Sequence, residues 1–302
     1  MEKDKKVLVT GGSGFLGKCL RDYKPEWVYI SSKDCNLLSF EETYKFLSYE
    51  KPDEVLHLAA LVGGIKDNSE RQADYFFKNV MINTNLLEVC RRLEIKRVLS
   101  SLSTCAFPDN THKYPFSESE FFQGPPAKTN FSYGISKRML HVASCAYRQQ
   151  YGLNYSTFCP SNIYGPHDHY GEEKSHFIAS LITKVYQAAN NSTIELWGTG
   201  KPLRQQLYVK DLCKIIPILL EKHNSESPII VSPHENLSVD TMAKTLIKKI
   251  DKHVDIRYNN KLDGQYRKDG DNANLLKIIG NYKFTKFADG IHKTYQWYRE
   301  NT

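Results

Sequence analysis

Short, mostly apolar runs alternate with longer segments of helical composition over the first half of the chain. The apolar runs predict strands at Lys6–Thr10, Trp27–Ile30, Glu54–Leu58, Lys96–Ser100 and Tyr155–Cys159. The segments between them predict helices at Phe15–Asp22, Ser39–Tyr49, Asp74–Arg92 and Tyr133–Tyr151. Strands that alternate with helices and read as continuous apolar runs favour an α/β fold with a doubly wound parallel sheet, covered on both faces.

The pattern changes after about residue 160. Residues 109–128 lack periodicity and predict a long loop, a type of segment that often carries function. We expect two interleaved lobes: residues 1–160 with a return at 206–230, and a smaller C-terminal lobe from 161–205 and 231–302. The elements predicted in this half are turns at Asn162–Asp168, helices at Ser175–Ala189 and Val209–Glu221, and strands at Thr193–Trp197 and Ile229–Val231.

Composition narrows the class of protein. With 302 residues and 40% hydrophobic content, the chain can bury a substantial core. The net charge of +7 is spread over scattered residues, which argues against a nucleic-acid partner and suits small anionic ligands. No window approaches the roughly 20 apolar residues of a membrane span, so we expect a cytoplasmic protein without a membrane partner. The seven cysteines show no metal-binding spacing, so no metal is expected and most should be buried thiols.

A glycine-rich turn follows the first predicted strand. In Thr10-Gly-Gly-Ser-Gly-Phe-Leu-Gly17, Gly11 permits a tight turn, Gly14 lets the backbone approach a pyrophosphate, and Gly17 allows close helix packing. Phe15 and Leu16 open the helix, whose N-terminus suits an anion. The alternative is a purely structural turn, but its position directly after an apolar strand favours a dinucleotide site.

The end of the second strand indicates which dinucleotide is bound. An acidic residue there would hold a ribose 2′-hydroxyl, whereas a cation accommodates a 2′-phosphate. Here two serines precede Lys33 and Asp34. Two hydroxyls and an ammonium favour NADP(H) over NAD, although an ordinary solvated lysine beside Asp34 is the alternative.

A serine, a tyrosine and a lysine follow at a spacing that suits carbonyl reduction. Tyr133 and Lys137 are one helical turn apart, so both side chains leave the same helix face. An ammonium there should favour the phenolate and bring the tyrosine pKa toward neutrality. Ser103 follows the fourth strand, at the edge of the sheet where ligands bind in open α/β folds. The tyrosine can protonate an alkoxide while the serine hydroxyl holds the same oxygen.

A thiol two residues beyond the serine suggests a second activity. Carbons next to a ketone can be deprotonated when donors hold the developing oxyanion, and inversion needs a base on one face and an acid on the other. Cys105 and His176 both carry groups that titrate near neutrality. Spacing alone does not place His176 opposite Cys105, and it is one of ten histidines.

These residues resemble the extended short-chain dehydrogenase/reductase superfamily and, within it, the GDP-L-fucose synthase family of epimerase-reductases. The resemblance runs nearly end to end. It is carried by His57–Gly64, Leu102–Pro108, Gly124–Arg138, Asn162–Asp168, Trp197–Arg204 and Asp263–Lys268.

The resemblance implies a Rossmann-type fold and a role for each matching residue. Tyr133 would protonate the C4 oxygen, Lys137 would tune it and touch the nicotinamide ribose, and Ser103 would bind that oxygen. Cys105 and His176 would invert C3 and C5 before reduction. The implied cofactor positions are Gly11, Gly14, Phe15, Leu16, Gly17, Lys33, Asp34, Ala59, Lys137, Asn162, Ile163, Tyr164, Gly165 and His176. The implied nucleotide-sugar positions are Asn162, Lys184, Trp197, Arg204, Asp263 and Lys268.

The expected function is NADPH-dependent 3,5-epimerisation and 4-reduction of GDP-4-keto-6-deoxy-D-mannose to GDP-L-fucose. One alternative keeps this chemistry on a UDP-linked 4-keto-6-deoxy sugar, with a rhamnose-type product. Another is a catalytically idle relative that binds dinucleotide as a regulatory subunit, although such relatives usually lose one of the three reductase residues. The resemblance also implies a homodimer that packs the helices predicted at Asp74–Arg92 and Tyr133–Tyr151.

Overall fold

A computed structural model describes residues 5–171, 175–261, 263 and 265–302. In this part of the chain the strands are β1 (Val7–Thr10), β2 (Val28–Ile30), β3 (Glu54–His57), β4 (Arg97–Ser101), β5 (Asn154–Pro160), β6 (Asn162–Tyr164), β7 (Ser192–Leu196), β8 (Leu203–Tyr208), β9 (Ile229–Val231), β10 (Asn236–Ser238), β11 (Val254–Tyr258) and β12 (Arg267–Lys268). The α-helices are α1 (Phe15–Tyr23), α2 (Phe40–Glu50), α3 (Ile65–Glu70), α4 (Gln72–Arg92), α5 (Phe131–Tyr151), α6 (Phe177–Gln187), α7 (Val209–Lys222), α8 (Val239–Lys249), α9 (Ala273–Ile279) and α10 (Phe287–Asn301).

The first lobe is built on a six-stranded parallel sheet. Its strand order is β2-β1-β3-β4-β5-β9, and every neighbouring pair is parallel. The chain leaves β1 toward one edge and returns through β3 toward the other, so the order reverses between these two strands. Ligands bind at such a switch point in open α/β sheets. The expected doubly wound α/β fold is confirmed.

Both faces of this sheet are buried, which explains the continuous apolar strands. Leu8, Val55 and Val98 contribute to the core on one face, together with side chains of α4. Leu56 follows Val55 in β3, and Leu99 follows Val98 in β4. Both contribute to the core on the opposite face, together with side chains of α1 and α7. Because successive strand residues point to opposite faces, a sheet covered twice needs apolar residues at both.

The second lobe contains two small sheets and a separate core. β8 pairs with β10 and β12, β6 also pairs with β8, and β7 pairs with β11. The predicted turn at Asn162–Asp168 is wrong in part, because its first three residues form β6. Side chains of α6, α8 and α10 fill the core between these strands. The chain returns to the first sheet through β9, which pairs with β5. The exact division of the two lobes stays a prediction.

Most predicted elements are found close to their expected ends. Ser39 caps α2 by accepting a hydrogen bond from the Glu42 N–H. The loop at residues 109–128 is anchored, since Phe116 and Phe121 are buried and the Ile230 N–H donates to the Glu118 carboxylate. Among the described helices, none is long and apolar enough to cross a membrane.

Candidate active site

The glycine turn lies against the start of the segment that follows β3. Gly11 has a φ of +74°, and a Cβ there would lie 2.9 Å from the Ala59 nitrogen. A Cβ on Gly17 would lie 2.4 Å from the Gly11 carbonyl oxygen. Gly14 occupies the N-cap of α1 and provides no side-chain cap, which leaves N–H groups of the first turn, beginning at Phe15, without intrahelical acceptors. This cradle of close backbone and helix N-terminus fits a pyrophosphate.

The end of β2 combines an exposed ammonium with a restrained carboxylate. The Ser31 N–H and hydroxyl both donate to the Asp34 carboxylate, at 2.8 and 2.7 Å. These hydrogen bonds lower the pKa of Asp34. Lys33 is exposed, and its backbone N–H donates to the Ser31 hydroxyl. The side chain of Lys33 is therefore available to a phosphate at the edge of the dinucleotide site.

Ser103 and Cys105 lie in the turn directly after β4. The Ser103 hydroxyl accepts a hydrogen bond from the Cys105 N–H at 3.2 Å and caps a single 3₁₀ turn, Thr104–Ala106. Cys105 keeps partial exposure, whereas the flanking Thr104 and Ala106 are buried. The turn therefore presents the hydroxyl and the thiol at the carboxyl edge of the sheet.

Tyr133 and Lys137 lie on the first turns of α5, beside that same edge. The Lys137 ammonium is 5.9 Å from the Tyr133 ring centroid and donates to the Ser101 carbonyl at 2.8 Å. Burial lowers the pKa of Lys137 to about 8. Burial and the nearby Cys105 raise the pKa of Tyr133, while a hydrogen bond with Ser103 lowers it. The expected shift of the tyrosine pKa toward neutrality is wrong for this structure, because burial of the phenol is the largest influence on that pKa.

Cys105 lies beside two cations from the second lobe. The Lys268 ammonium donates to the Cys105 sulfur at 3.1 Å. Burial raises the thiol pKa, but the charges of Lys268 and Arg204 and a hydrogen bond with Ser103 outweigh it, so the pKa of Cys105 is lowered overall. Arg204 is held by main-chain oxygens, with hydrogen bonds to Leu203 and Gln265 at 2.7 and 2.6 Å.

His176 lies immediately before α6, as its N-cap residue. Its side chain keeps exposure to solvent. Burial of part of the ring and the charges of His169 and Lys268 lower the pKa of His176. The charge of Lys268 thus affects the pKa of both His176 and Cys105, although only Cys105 contacts its ammonium.

A buried histidine to which the sequence analysis assigned no role joins the glycine turn to α4. The Leu58 and Ala59 N–H groups donate to the Thr10 hydroxyl, whose own proton is then directed to His57 Nδ1 at 2.8 Å. His57 Nε2 therefore donates to the Asn83 side-chain oxygen at 3.0 Å. Burial lowers the pKa of His57 to about 3, so the ring stays neutral. Its position just before the Ala59 segment was the only signal in the sequence.

The nicotinamide-side residues lie at the start of the second lobe. Asn162 and Ile163 are half-buried in β6, whereas the Tyr164 side chain packs in the core of that lobe against Phe287. Tyr164 can therefore reach a cofactor only through its backbone. Gly165 follows with a φ of +150°.

The predicted nucleotide-sugar residues line the second lobe but are not all in contact. Lys184 donates to the Glu195 carbonyl at 2.8 Å. The Asp263 carboxylate accepts from the Thr199 N–H and hydroxyl at 2.6 and 2.7 Å. Trp197 is 68% exposed, and the Lys261 ammonium lies 5.7 Å from its ring centroid. An exposed indole beside cations is suited to stacking with a nucleotide base.

Comparison with known proteins agrees with this geometry. The model of the NAD dependent epimerase/dehydratase family matches residues 7–232. Over 98% of its length, the chain is 38% identical to the GDP-L-fucose synthase of Dictyostelium discoideum, covering 95% of that protein. Over 98% of its length it is also 30% identical to the GDP-L-fucose synthase of Escherichia coli, covering 97% of it. The chain belongs to the GDP-L-fucose synthase family.

A solved structure of the same family has the same fold. The GDP-L-fucose synthetase of Naegleria fowleri, bound to NADP, is 32% identical with a TM-score of 0.92, over 100% of this chain and 94% of that one. UDP-sugar 4-epimerases match at 21–22% identity, which shows the fold alone. The UDP-linked alternative is not favoured, because the relatives at 30–38% identity are GDP-L-fucose synthases. As a member of the GDP-L-fucose synthase family, the chain is an NADP-dependent epimerase/reductase rather than an idle relative.

Proposed function

We propose that this enzyme converts GDP-4-keto-6-deoxy-D-mannose to GDP-L-fucose with NADPH, by two epimerisations and one reduction at a single site. The observation that carries the proposal is the grouping of Ser103, Cys105, Tyr133 and Lys137 at the edge of one sheet. Reduction alone needs no thiol. An acidified cysteine next to the oxygen-binding hydroxyl is what makes a second, epimerase activity chemically reasonable.

The reductase half depends on a protonated phenol. NADPH supplies the hydride that reaches the C4 carbon. The raised pKa of Tyr133 keeps its hydroxyl protonated at neutral pH, ready to deliver a proton to the C4 oxygen. The Ser103 hydroxyl donates to the same oxygen, and the Lys137 ammonium limits the cost of the phenolate that remains. The edge-to-face packing of Tyr75 on Tyr133, with ring centroids 6.3 Å apart, holds the phenol in place.

The epimerase half uses Cys105 and His176 on the two faces of the sugar. The Cys105 thiolate takes the proton from the carbon next to the ketone. The electron pair of the broken C–H bond forms the enolate, whose negative charge is on the C4 oxygen. The donors at Ser103 and Tyr133 hold that oxyanion. The protonated form of His176, which the lowered pKa makes a stronger acid, then returns a proton to the opposite face. Solvent removes the proton from the thiol and reprotonates the imidazole, so each inversion leaves the enzyme unchanged.

The second lobe supplies the charge that a nucleotide diphosphate requires. We assign Lys184 and Arg204 to the diphosphate, Trp197 to the base and Asp263 to a ribose hydroxyl. Asn162 and Lys268 complete the sugar side of the site. Asp263 can accept further hydrogen bonds, because a carboxylate has more acceptor positions than the two that Thr199 occupies.

The critical experiment separates the two activities in Cys105→Ser. The variant should lose about 10²–10⁴-fold in the epimerisation rate, read as deuterium uptake at C3 and C5 from D₂O, while direct C4 reduction continues. Cys145→Ser is the matched control, because Cys145 is a half-buried thiol outside the site. Unimpaired deuterium uptake in Cys105→Ser would remove Cys105 from the mechanism. Turnover of a UDP-linked but not the GDP-linked keto sugar would contradict the substrate.

We also propose a cytoplasmic homodimer formed through α4 and α5. These helices carry exposed apolar side chains, of which Phe77 is 60% and Val142 is 53% exposed. All seven cysteines are free thiols, which supports a reducing compartment. In sedimentation experiments, Phe77→Asp and Val142→Asp should shift the protein toward monomer. Tyr49→Asp, on α2 and 83% exposed, should leave the dimer intact. A dimer unaffected by both α4 and α5 substitutions would contradict this interface.

A further inference from the structure

Lys268 makes an unusual contact for a residue expected to bind a nucleotide-sugar. Its ammonium donates to the Cys105 sulfur at 3.1 Å, across 163 residues of sequence. Among the described residues, no carboxylate forms a salt bridge with this ammonium. The neighbouring Arg267 behaves differently, because its guanidinium pairs with Asp269 at 2.6 Å and lies over the Tyr114 ring. The single cation of β12 that remains without a carboxylate partner is therefore directed at the thiol.

The backbone around Lys268 fixes this direction. Lys268 is paired in register with Arg204 in the parallel β12–β8 ladder, so both side chains leave the same face of that sheet. The Gln265 amide donates to the Asp109 carbonyl at 2.7 Å, and the Phe116 N–H donates to the Asp269 carbonyl at 2.9 Å. These bonds tie β12 to the loop that continues from Cys105. The ammonium and the sulfur are thus held together from both sides.

The charges around Cys105 favour its ionised form. Arg204 and Lys268 face it from β8 and β12. The other titratable groups that face it are Tyr133 on α5 and Cys159 on β5. Burial raises the pKa of both of these groups, so both are neutral at pH 7. A thiolate at Cys105 therefore meets two cations and no competing anion among these neighbours.

We propose that Lys268 is a positioning residue that holds Cys105 as an ion-paired thiolate before any substrate binds. The inference rests on the proposed function, since it explains how the base of the epimerase half is formed. After each inversion the sulfur carries a proton. The adjacent ammonium favours return of that proton to solvent, so the thiolate is restored for the second carbon. Lys268 acts through Cys105 and takes no proton from the sugar.

The test is the pH dependence of Cys105 alkylation in the free protein. Iodoacetamide labelling, quantified by mass spectrometry of the peptide that contains Cys105, gives the pH midpoint of this one thiol. The unsubstituted protein should show a midpoint below the usual value of about 8.5. Lys268→Met should raise the midpoint by about 1–3 pH units, because the burial remains and the partner charge is gone. Lys268→Arg should restore most of the shift, and Lys201→Met, which removes an exposed lysine from the same lobe, should not change it.

Three results would overturn the proposal. A midpoint at or above 8.5 in the unsubstituted protein would show that no thiolate is preformed. This measurement does not depend on whether a variant folds. An unchanged midpoint in folded Lys268→Met would show that Lys268 does not hold the charge. An equal shift in Lys201→Met would show a general effect of lobe charge. Because labelling uses no substrate, a low midpoint in an enzyme that turns over no GDP-linked keto sugar would support the ion pair while refuting the proposed function.

Discussion

Of the glycine-to-alanine substitutions in the glycine turn, Gly17→Ala should damage the dinucleotide site most. A Cβ at this position would lie 2.4 Å from the Gly11 carbonyl oxygen and 2.7 Å from the Gly12 Cα. Ordinary contacts begin near 3.4 Å, so turn and helix must separate by about 1 Å. The turn has little room to recede, because the Gly12 N–H is bonded to the Ile30 carbonyl at 2.7 Å and the Ala59 backbone fills the space beside Gly11, where a Cβ would lie 2.9 Å from the Ala59 nitrogen.

The expected magnitude follows from two opposing effects. Forced overpacking costs about 1–3 kcal/mol, whereas alanine gains up to about 1 kcal/mol of helix propensity over glycine. We therefore expect a net loss of about 1–2 kcal/mol in the free energy of unfolding. A separation of about 1 Å also takes backbone N–H groups out of hydrogen-bond range of a pyrophosphate, and each charge-assisted bond is worth about 1.5–3 kcal/mol. The Kd for NADPH should rise about 10–100-fold.

The assay is a fluorescence titration with NADPH, paired with urea unfolding followed by circular dichroism. Gly64→Ala is the matched control, because Gly64 has a φ of −69° at the N-cap of α3 and no described atom lies within 4 Å of an added Cβ. Gly14→Ala should destabilise less than Gly17→Ala, since its Cβ would lie 3.2 Å from the Gly11 oxygen. A Gly17→Ala protein with NADPH affinity and stability equal to Gly64→Ala would refute the assigned turn geometry.

Three further predictions follow from the site and the core. Tyr133→Phe should lower C4 reduction by about 10²–10⁴-fold and should slow deuterium entry at C3 and C5 less, because Ser103 still donates to the oxyanion; an equal loss of both activities would contradict separate roles. Burial lowers the pKa values of His57, His141 and His223 to about 3, 4 and 4. Their stabilisation of the folded protein is therefore complete above about pH 6.5 and is lost as the pH falls toward 4. Urea unfolding should show that the free energy of unfolding falls by about 2 kcal/mol per histidine between pH 7 and 5. Buried Asp168, whose pKa is raised to about 7, partly offsets this loss because it favours the folded state as the pH falls. Equal or greater stability at pH 5 would contradict the role of the three histidines. Gly290→Ala should lower the free energy of unfolding, because its Cβ would lie 2.0 Å from the Tyr164 hydroxyl oxygen; unchanged unfolding would contradict that contact.

The first lobe could be predicted from local pattern because its elements are regular. The inner strands of the parallel sheet are buried on both faces, so their sequences read as apolar runs. Ser39 marks the start of α2 by an ordinary N-cap. The second lobe has strands of two to six residues, and β8, β10, β11 and β12 were missed. β11 is half-exposed along its length, and β12 has only two residues. Such short strands form because they pair with neighbouring strands, and their own composition does not predict them.

In the site, too, local sequence spacing predicts which residues meet, whereas properties that depend on the whole fold cannot be predicted from it. Tyr133 and Lys137 are linked by helical spacing, and Ser103 by its place after β4, so sequence spacing alone predicted that they meet. Their protonation did not follow from spacing. The ammonium of Lys137 was expected to acidify the phenol, but burial raises the Tyr133 pKa and lowers that of Lys137. Burial depends on every element packed around the pair, and no local pattern records it.

The two halves of the proposed chemistry are therefore supplied by different parts of the fold. The groups that serve reduction lie on β4 and α5 of the first lobe, where a dinucleotide bound at the glycine turn can reach them. The charge that serves epimerisation comes from β8 and β12 of the second lobe, through Arg204 and Lys268. Cys105 of the first lobe contacts this second set through the Lys268 ammonium. A substitution that loosens β12, such as Gln265→Ala, should thus impair proton exchange at C3 and C5 more than hydride transfer to C4. Equal loss of both rates would show that the lobes act on the two steps together.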